Sequence, residues 1–334
     1  MWRITIALLI IVTSCSSNKT SNPVKLLGEA QGTYYSIIYF DKQNRDFKVE
    51  IDSLLDDFDL SVSLWVPESI LSRVNKSNQN INLDKHFTDN FNLSEKVAIE
   101  TDGAFDFTVG SLVKAWGFGF DNRKNIDSLI IDSLLQYVGY NKVKIVNNHI
   151  IKQDTNTTFD FNAIAQGYSV DLVAEFLQKN NISDFLIDIG GEVRAVGKKP
   201  NGDLWKIGIE KPTKNATDER VLTATIVLKN LSIATSGSYR KFFEEDGVRY
   251  SHTINPSTGY PVVHSLLSAS IICNNTALAD AYATACMVMG LDESISFVEN
   301  NPDLEAFFIY SNKDGSYETY ATDGFTNLIV KKFD

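Results

Sequence analysis

The alanine-rich segment Thr276–Gly290 constrains this chain most, because two polar side chains stand on an otherwise small and apolar predicted helix. Asp280 and Thr284 are four residues apart and therefore share one helical face. Burying a carboxylate and a hydroxyl without a partner is costly. Oxygen ligands of this kind suit Mg²⁺, so the segment is a candidate metal site. The alternative is an exposed Asp280 and a Thr284 hydroxyl bonded back to its own helix.

The remaining pattern mixes helices with many short strands. Apolar spacing predicts helices over residues 48–61, 88–101, 112–116, 127–138, 163–179 and 276–289. Strands are predicted over residues 31–40, 142–146, 149–152, 185–189, 205–210, 223–228, 232–235, 266–272 and 306–310. Strands and hairpins are too frequent for strict β-α-β alternation. We therefore predict an α+β fold with a mixed sheet and flanking helices.

The N-terminus has the pattern of a signal peptide. A basic start at Arg3 precedes the apolar run Ile4–Val12, which is too short to span a bilayer, and Cys15 follows a small residue. We predict a lipoprotein signal peptide over residues 1–14, lipidation of Cys15, a flexible tether over 15–27 and a single domain over 28–334. A plain secretory signal with an incidental cysteine is the alternative.

Charge and cysteine content exclude some function classes. The formal net charge is −11 and no polybasic run is present, which argues against nucleic-acid binding. Four histidines without a Cys-x-x-Cys motif argue against a zinc site. Cys273 and Cys286 lie in apolar contexts, where they either pair or remain buried thiols.

Four further segments have residue types that suit a ligand site. In Ser251–Pro261, turn signals place His252 at a strand end, where it is either a general base or a structural residue. Thr101–Gly119 alternates glycines with aromatics, which either contact a planar ring or fill the core. In Asp160–Tyr168 a strand meets a helix start, which suits a pyrophosphate. The glycine turn in Asp188–Arg194 lacks the Rossmann spacing.

Together these segments resemble the FAD:protein FMN transferase family, the ApbE-like flavin transferases. The resemblance runs from about residue 28 to about residue 322. The similar pieces occur in the family's order and are Gln31–Tyr35, Ser63–Asn75, Thr101–Gly119, Ile187–Arg194, His252–Pro261 and Ala277–Gly290.

The resemblance implies a fold of two lobes around a flavin cleft, and it implies residue roles. Asp280 and Thr284 would bind Mg²⁺, with the backbone carbonyl of Ala163 and that of Ala283 as further ligands. His252 falls on the histidine to which the family assigns a catalytic role. The implied FAD-binding residues are Gln31, Trp65, Trp116, Gly117, Phe118, Asp160, Gln166 and Ile254.

One segment departs from the family pattern. Gln166 stands where many members have lysine, and Asn162 and Ala163 replace two glycines. The first change removes a cation near the expected phosphates, so Mg²⁺ would neutralise more of their charge.

The resemblance implies Mg²⁺-dependent transfer of FMN from FAD to a threonine or serine hydroxyl of an acceptor protein, with release of AMP. The expected acceptor belongs to an envelope redox complex. The expected location is the outer side of a membrane, held by the lipid anchor. A Mg²⁺-dependent FAD pyrophosphatase and a non-catalytic flavin-binding lipoprotein remain the alternatives.

Overall fold

The computed structural model describes residues 22–76, 80–118, 127–212, 221–237, 242–245, 248–251 and 253–333. The helices in these ranges are α1 (Lys48–Val62), α2 (Ile70–Lys76), α3 (Lys85–Glu100), α4 (Gly110–Ala115), α5 (Ser128–Leu135), α6 (Ala165–Lys179), α7 (Thr276–Met289), α8 (Leu291–Glu299) and α9 (Asp323–Leu328). The strands are β1 (Pro23–Ala30), β2 (Thr33–Phe40), β3 (Val143–Val146), β4 (His149–Lys152), β5 (Phe185–Ile189), β6 (Glu192–Val196), β7 (Trp205–Glu210), β8 (Leu222–Leu228), β9 (Leu231–Gly237), β10 (Phe242–Glu245), β11 (Val248–Ser251), β12 (Leu266–Cys273), β13 (Glu305–Ser311), β14 (Tyr317–Ala321) and β15 (Ile329–Lys332).

An eight-stranded sheet in the order β1-β2-β5-β6-β9-β12-β13-β14 forms the centre of the protein. Helices α6 and α7 pack on one face, where α7 contacts β9 and β12. The three-stranded sheet β15-β8-β7 packs on the other face, where Trp205 and Ile226 join a buried cluster with Ile233 and Phe307. The α+β class predicted from the sequence is confirmed.

The predicted sheet differs in one detail. Every described ladder of the large sheet is antiparallel, whereas we expected a mixed sheet. Pairs such as β5–β6 and β13–β14 follow each other directly in the chain, and antiparallel neighbours need only a tight turn. The β3–β4 hairpin was correctly predicted, and Asn147 and Asn148 take positive φ angles of 49° and 64° at its turn.

The predicted tether extends too far into the chain. Residues 23–27 belong to β1, which pairs along its whole length with β2. Only Leu26 of this edge strand is buried, while Leu27 is 70% exposed. Exposure alternates along β1, but the apolar Leu27 lies on the outward side and Gly28 on the inward side, so the residue types do not alternate clearly. This explains why the strand was not predicted from the sequence. Residues 1–21, including Cys15, lie outside the described residues.

The state of the two cysteines and the end of one predicted helix can also be compared with the structure. Of the two alternatives left open for Cys273 and Cys286, the structure has buried free thiols and no pairing between them. Helix α5 ends at Leu135, three residues before the predicted Val138. Within the described ranges, no helix combines the length and the apolar character needed to cross a membrane.

Candidate active site

A cleft of about 700 Å³ opens beside the paired helices α6 and α7. Its walls also include residues of the β5–β6 turn, β7, the end of β9 and the loop after β11. The predicted flavin and metal residues that line it are Gln31, Trp65, Phe118, Asp160, Ala163, Gln166, Ile254, Asp280 and Thr284. The structure thus brings together residues from segments that are far apart in the sequence.

Helices α6 and α7 meet almost backbone to backbone at the base of this cleft. A Cβ atom on Gly167 would lie 2.4 Å from the carbonyl oxygen of Thr276, so any larger residue would push the helices apart. The alanines of α7 allow the same closeness on its side, and Ala277, Ala281 and Ala285 are fully buried. The helix that presents Asp280 is therefore fixed against α6.

Each of the two helices supplies a carboxylate to the N-terminal amides of the other. Asp171 of α6 accepts hydrogen bonds from the amides of Thr276 and Ala277, each at 2.9 Å. Asp280 of α7 accepts one from the amide of Gly167, at 3.1 Å. The first amides of a helix lack partners within it and favour negative charge. We call this arrangement the reciprocal cap; it holds the Asp280 side chain in place.

Asp280 and Thr284 both face the cleft, as their spacing predicted. Burial raises the pKa of Asp280 to about 7, although the hydrogen bond from Gly167 acts in the opposite direction. The Thr284 hydroxyl lies 3.1 Å from the Ser236 hydroxyl at the end of β9. A carboxylate and hydroxyls at the base of a cleft are oxygen ligands of the kind that Mg²⁺ binds.

Glu192 lies in the same cleft and was not singled out by the sequence analysis. It opens β6 directly after the Gly190-Gly191 turn, and its carboxylate accepts a hydrogen bond from the Gln166 amide. Burial, followed by the charge of Asp280, raises the pKa of Glu192 well above its usual value. Two buried acids therefore stand close enough to oppose each other's ionisation.

Most of the charged residues described in the cleft wall are acidic. Asp160 accepts a hydrogen bond from the Asn162 amide at 2.8 Å, and burial raises its pKa. An anionic ligand would be repelled by those carboxylates that are ionised, and a bound cation would offset this repulsion and favour the ionised forms. Among the described lining residues, the acidic ones are Asp106, Asp160, Asp188, Glu192, Glu210 and Asp280, and Lys206 is basic.

A divalent cation fits this donor set. No group of three or more His, Cys, Asp or Glu side chains suited to a metal is found in the described part of the chain. The predicted ligands are instead one carboxylate, one hydroxyl and a backbone carbonyl, and Asp280, Thr284 and Ala163 all line the cleft. Such a set leaves room for ligand oxygens and water, which Mg²⁺ commonly retains.

At the mouth of the cleft, which we call the rim, aromatic and apolar residues replace the acidic residues of the base. Trp65 is 61% exposed at the mouth. Trp116 is buried behind the wall, where its indole N–H donates to the carbonyl of Gly259 at 2.8 Å and its ring packs with Ile254. Trp116 was predicted to bind the flavin, but it packs behind the wall of the cleft and is not among the described residues that line it.

Two more predicted residues are absent from the described lining of the cleft, and a third lies outside the described residues. Gly117 forms a turn with φ +77° directly after α4. The side chain of Ala283 is fully buried in the core. Its predicted role concerns the backbone carbonyl and stays a prediction. His252 lies outside the described residues, between β11 and the cleft-lining residue Thr253.

Sequence and structure comparisons find related proteins. A sequence model of the ApbE family matches residues 31–308. An FAD:protein FMN transferase of Haemophilus influenzae is 33% identical, covering 98% of this chain and 97% of the relative. The flavin transferase ApbE of Vibrio cholerae has a similar structure, with a TM-score of 0.83 at 32% identity over 92% of this chain and 99% of that one. The apo flavinyl transferase ApbE of Pseudomonas stutzeri superposes with a TM-score of 0.84 at 29% identity, covering 93% and 98% of the two chains.

Proposed function

The chain belongs to the ApbE family, and on this basis we propose that it is an FAD:protein FMN transferase that requires Mg²⁺. It transfers the FMN part of FAD to a threonine or serine hydroxyl of an acceptor protein. A phosphoester bond forms to the FMN phosphorus, the pyrophosphate bond breaks, and AMP leaves.

The position of Asp280 and Thr284 carries this proposal. Both side chains come from one face of α7 and meet at the base of a cleft of about 700 Å³, a volume typical of small-molecule sites. The charged residues described around them are mostly acidic, so a dinucleotide pyrophosphate needs a cation there. When bound, Mg²⁺ would neutralise charge on the pyrophosphate and on the departing AMP.

The residues of the chain would then orient the substrate and move one proton. Trp65 at the mouth and Phe118 in the wall offer aromatic surfaces to the isoalloxazine ring. Gln31 and Gln166 offer amide groups lower in the cleft. We assign to His252 the removal of the proton from the acceptor hydroxyl, since the loop that follows it lines the same cleft.

The test is incubation of the mature protein with FAD, Mg²⁺ and candidate acceptor domains, followed by intact-mass analysis. Transfer predicts an acceptor mass increased by FMN less one water, together with an equal amount of AMP. Free FMN with an unmodified acceptor would identify a pyrophosphatase instead. Tight FAD binding without AMP would identify a flavin-binding lipoprotein.

We also propose that the protein is exported and lipid-anchored through Cys15, on the outer side of a membrane. The support is the N-terminal sequence pattern, and the expected acceptor belongs to a redox complex of the same envelope. Expression of the full chain and of Cys15→Ser, followed by fractionation, tests this. The proposal predicts membrane-bound wild type and a released or unprocessed variant; equal distribution would contradict it.

A further inference from the structure

We propose that Glu192 supplies a second carboxylate to the divalent cation bound at Asp280 and Thr284, and that Gln166 is the residue that positions it. This inference rests on the Mg²⁺ dependence proposed above. It adds a ligand from the central sheet to a site otherwise built on helices.

The Glu192 side chain is buried and held in one orientation. It is 8% exposed, and it lines the same cleft as Asp280. The Gln166 amide donates to it and also to the carbonyl of Ile189 at 3.0 Å. Ligand carboxylates in metal sites are commonly fixed by such outer hydrogen bonds.

The turn before Glu192 is shaped around the Gln166 amide. Gly190 has a φ angle of +64°, and a Cβ atom there would lie 2.1 Å from the Gln166 nitrogen. No other residue type fits this backbone and this contact together. Gly190 thus lets the amide of α6 reach the carboxylate of β6, which joins the two elements beside the cleft.

The acidic pair formed by Glu192 and Asp280 lacks a described cation of its own. Arg194 lies two residues further along β6, but its guanidinium bonds Ser232 at 3.0 Å and pairs with Asp171 at 3.5 Å. Lys206, the cation described in the wall, is exposed. Two carboxylates are within the number that protein Mg²⁺ sites commonly use, which leaves positions for phosphate oxygens.

Direct binding of Mn²⁺ tests the proposal without any turnover. Mn²⁺ titrations of the mature protein, followed by electron paramagnetic resonance without FAD, give a dissociation constant for each variant. Glu192→Gln and Asp280→Asn should each weaken binding by about 10–100-fold. Gln166→Leu removes the orienting amide and should weaken it by roughly tenfold.

Glu210→Gln is the matched control, since Glu210 is a glutamate of the same cleft on β7. It should change Mn²⁺ affinity far less than Glu192→Gln. Equal losses in the two variants would mean that only the general negative charge matters, and this would overturn the proposal. Unchanged binding by Glu192→Gln, or no binding by the wild type, would overturn it as well.

A second variant keeps Glu192 and decides the matter if Glu192→Gln fails to fold. Gln166→Leu leaves the carboxylate in place and removes only the amide that orients it, and this variant should still lower Mn²⁺ affinity by roughly tenfold. Unchanged affinity would contradict the assignment. Failure of the proposed function has a different signature: Mn²⁺ would bind through Glu192, but FAD and acceptor would give no flavinylated product.

Discussion

The base and the rim of the cleft are stabilised by different interactions. At the base, carboxylates of α6 and α7 bind backbone amides of the opposite helix, and Gly167 lets the two backbones touch. At the rim, α4, α5 and the loop 253–261 are held by an apolar cluster around Trp116, and Trp65 is mostly exposed. Hydrogen bonds from backbone amides hold a carboxylate in one direction, whereas an exposed aromatic side chain can adjust to a ligand. We infer that the base serves the chemistry and the rim serves flavin binding.

The largest effect is expected from Asp280→Asn at the base. Loss of the proposed metal ligand should remove several kcal/mol of charge stabilisation, so AMP release should fall by on the order of 10³-fold. The amide still accepts the bond from Gly167, so the fold should persist. Asp314→Asn, in an exposed turn, is the control and should behave as wild type. A loss below about tenfold would contradict the distinction between base and rim.

Asp171→Ala tests the reciprocal cap by stability. It removes the acceptor for the first amides of α7 and leaves Arg194 without its ion-pair partner. We expect the free energy of unfolding in urea to fall by about 3 kcal/mol. Asp127→Ala removes a single-amide cap at α5 and should cost about 1 kcal/mol. Equal losses of unfolding free energy in the two variants would mean that the reciprocal cap stabilises the protein no more than an ordinary helix cap does.

Trp65→Ala tests the rim. FAD affinity should fall by about five- to tenfold, equivalent to about 1 kcal/mol of stacking, as measured by fluorescence titration. Stability should change by less than about 0.5 kcal/mol, because the side chain is mostly exposed. Trp116→Phe is the matched variant. It should lose about 1 kcal/mol of stability with the bond to Gly259 and keep its FAD affinity. The reverse pattern would mean that Trp116, and not Trp65, contacts the isoalloxazine ring.

The smallest effect is expected at Asp59 on α1. This carboxyl is half-buried and, unlike Asp171 and Asp280, is not described as capping a helix N-terminus. Burial and the nearby Asp56 raise the pKa of Asp59 to about 6. The folded state therefore holds this proton more tightly, and the resulting stability is present below about pH 4 and lost as pH rises through 6. Asp59→Asn should stabilise the protein by under about 1 kcal/mol at pH 7.5, since solvent screens the group. Urea unfolding should show this gain disappearing near pH 4; a pH-independent difference would contradict it.

Parts of the site that depend on local spacing could be predicted from the sequence. Asp280 and Thr284 lie one helical turn apart, so their common face follows from helix geometry alone. The Asn147-Asn148 turn was equally legible, because asparagine tolerates positive φ. The edge strand β1 could not be predicted from its sequence pattern, because most of its residues contact solvent.

Other parts of the site depend on contacts between distant segments and left no local signal. Asp171 and Thr276 are 105 residues apart, and nothing near Asp171 reveals that it caps α7. Glu192 follows a recognisable glycine pair, but its approach to Asp280 requires the packing of β6 against α7. Trp116 was assigned to the flavin by its position in a motif, whereas the direction of its side chain depends on the surrounding core.

Anomalous diffraction from Mn²⁺ in crystals grown with FAD tests the central claim most directly. The account predicts one strong peak bonded to the Asp280 carboxylate and the Thr284 hydroxyl, in contact with the pyrophosphate, with the flavin extending toward Trp65. A pyrophosphate bound elsewhere, or a metal peak remote from α7, would contradict it.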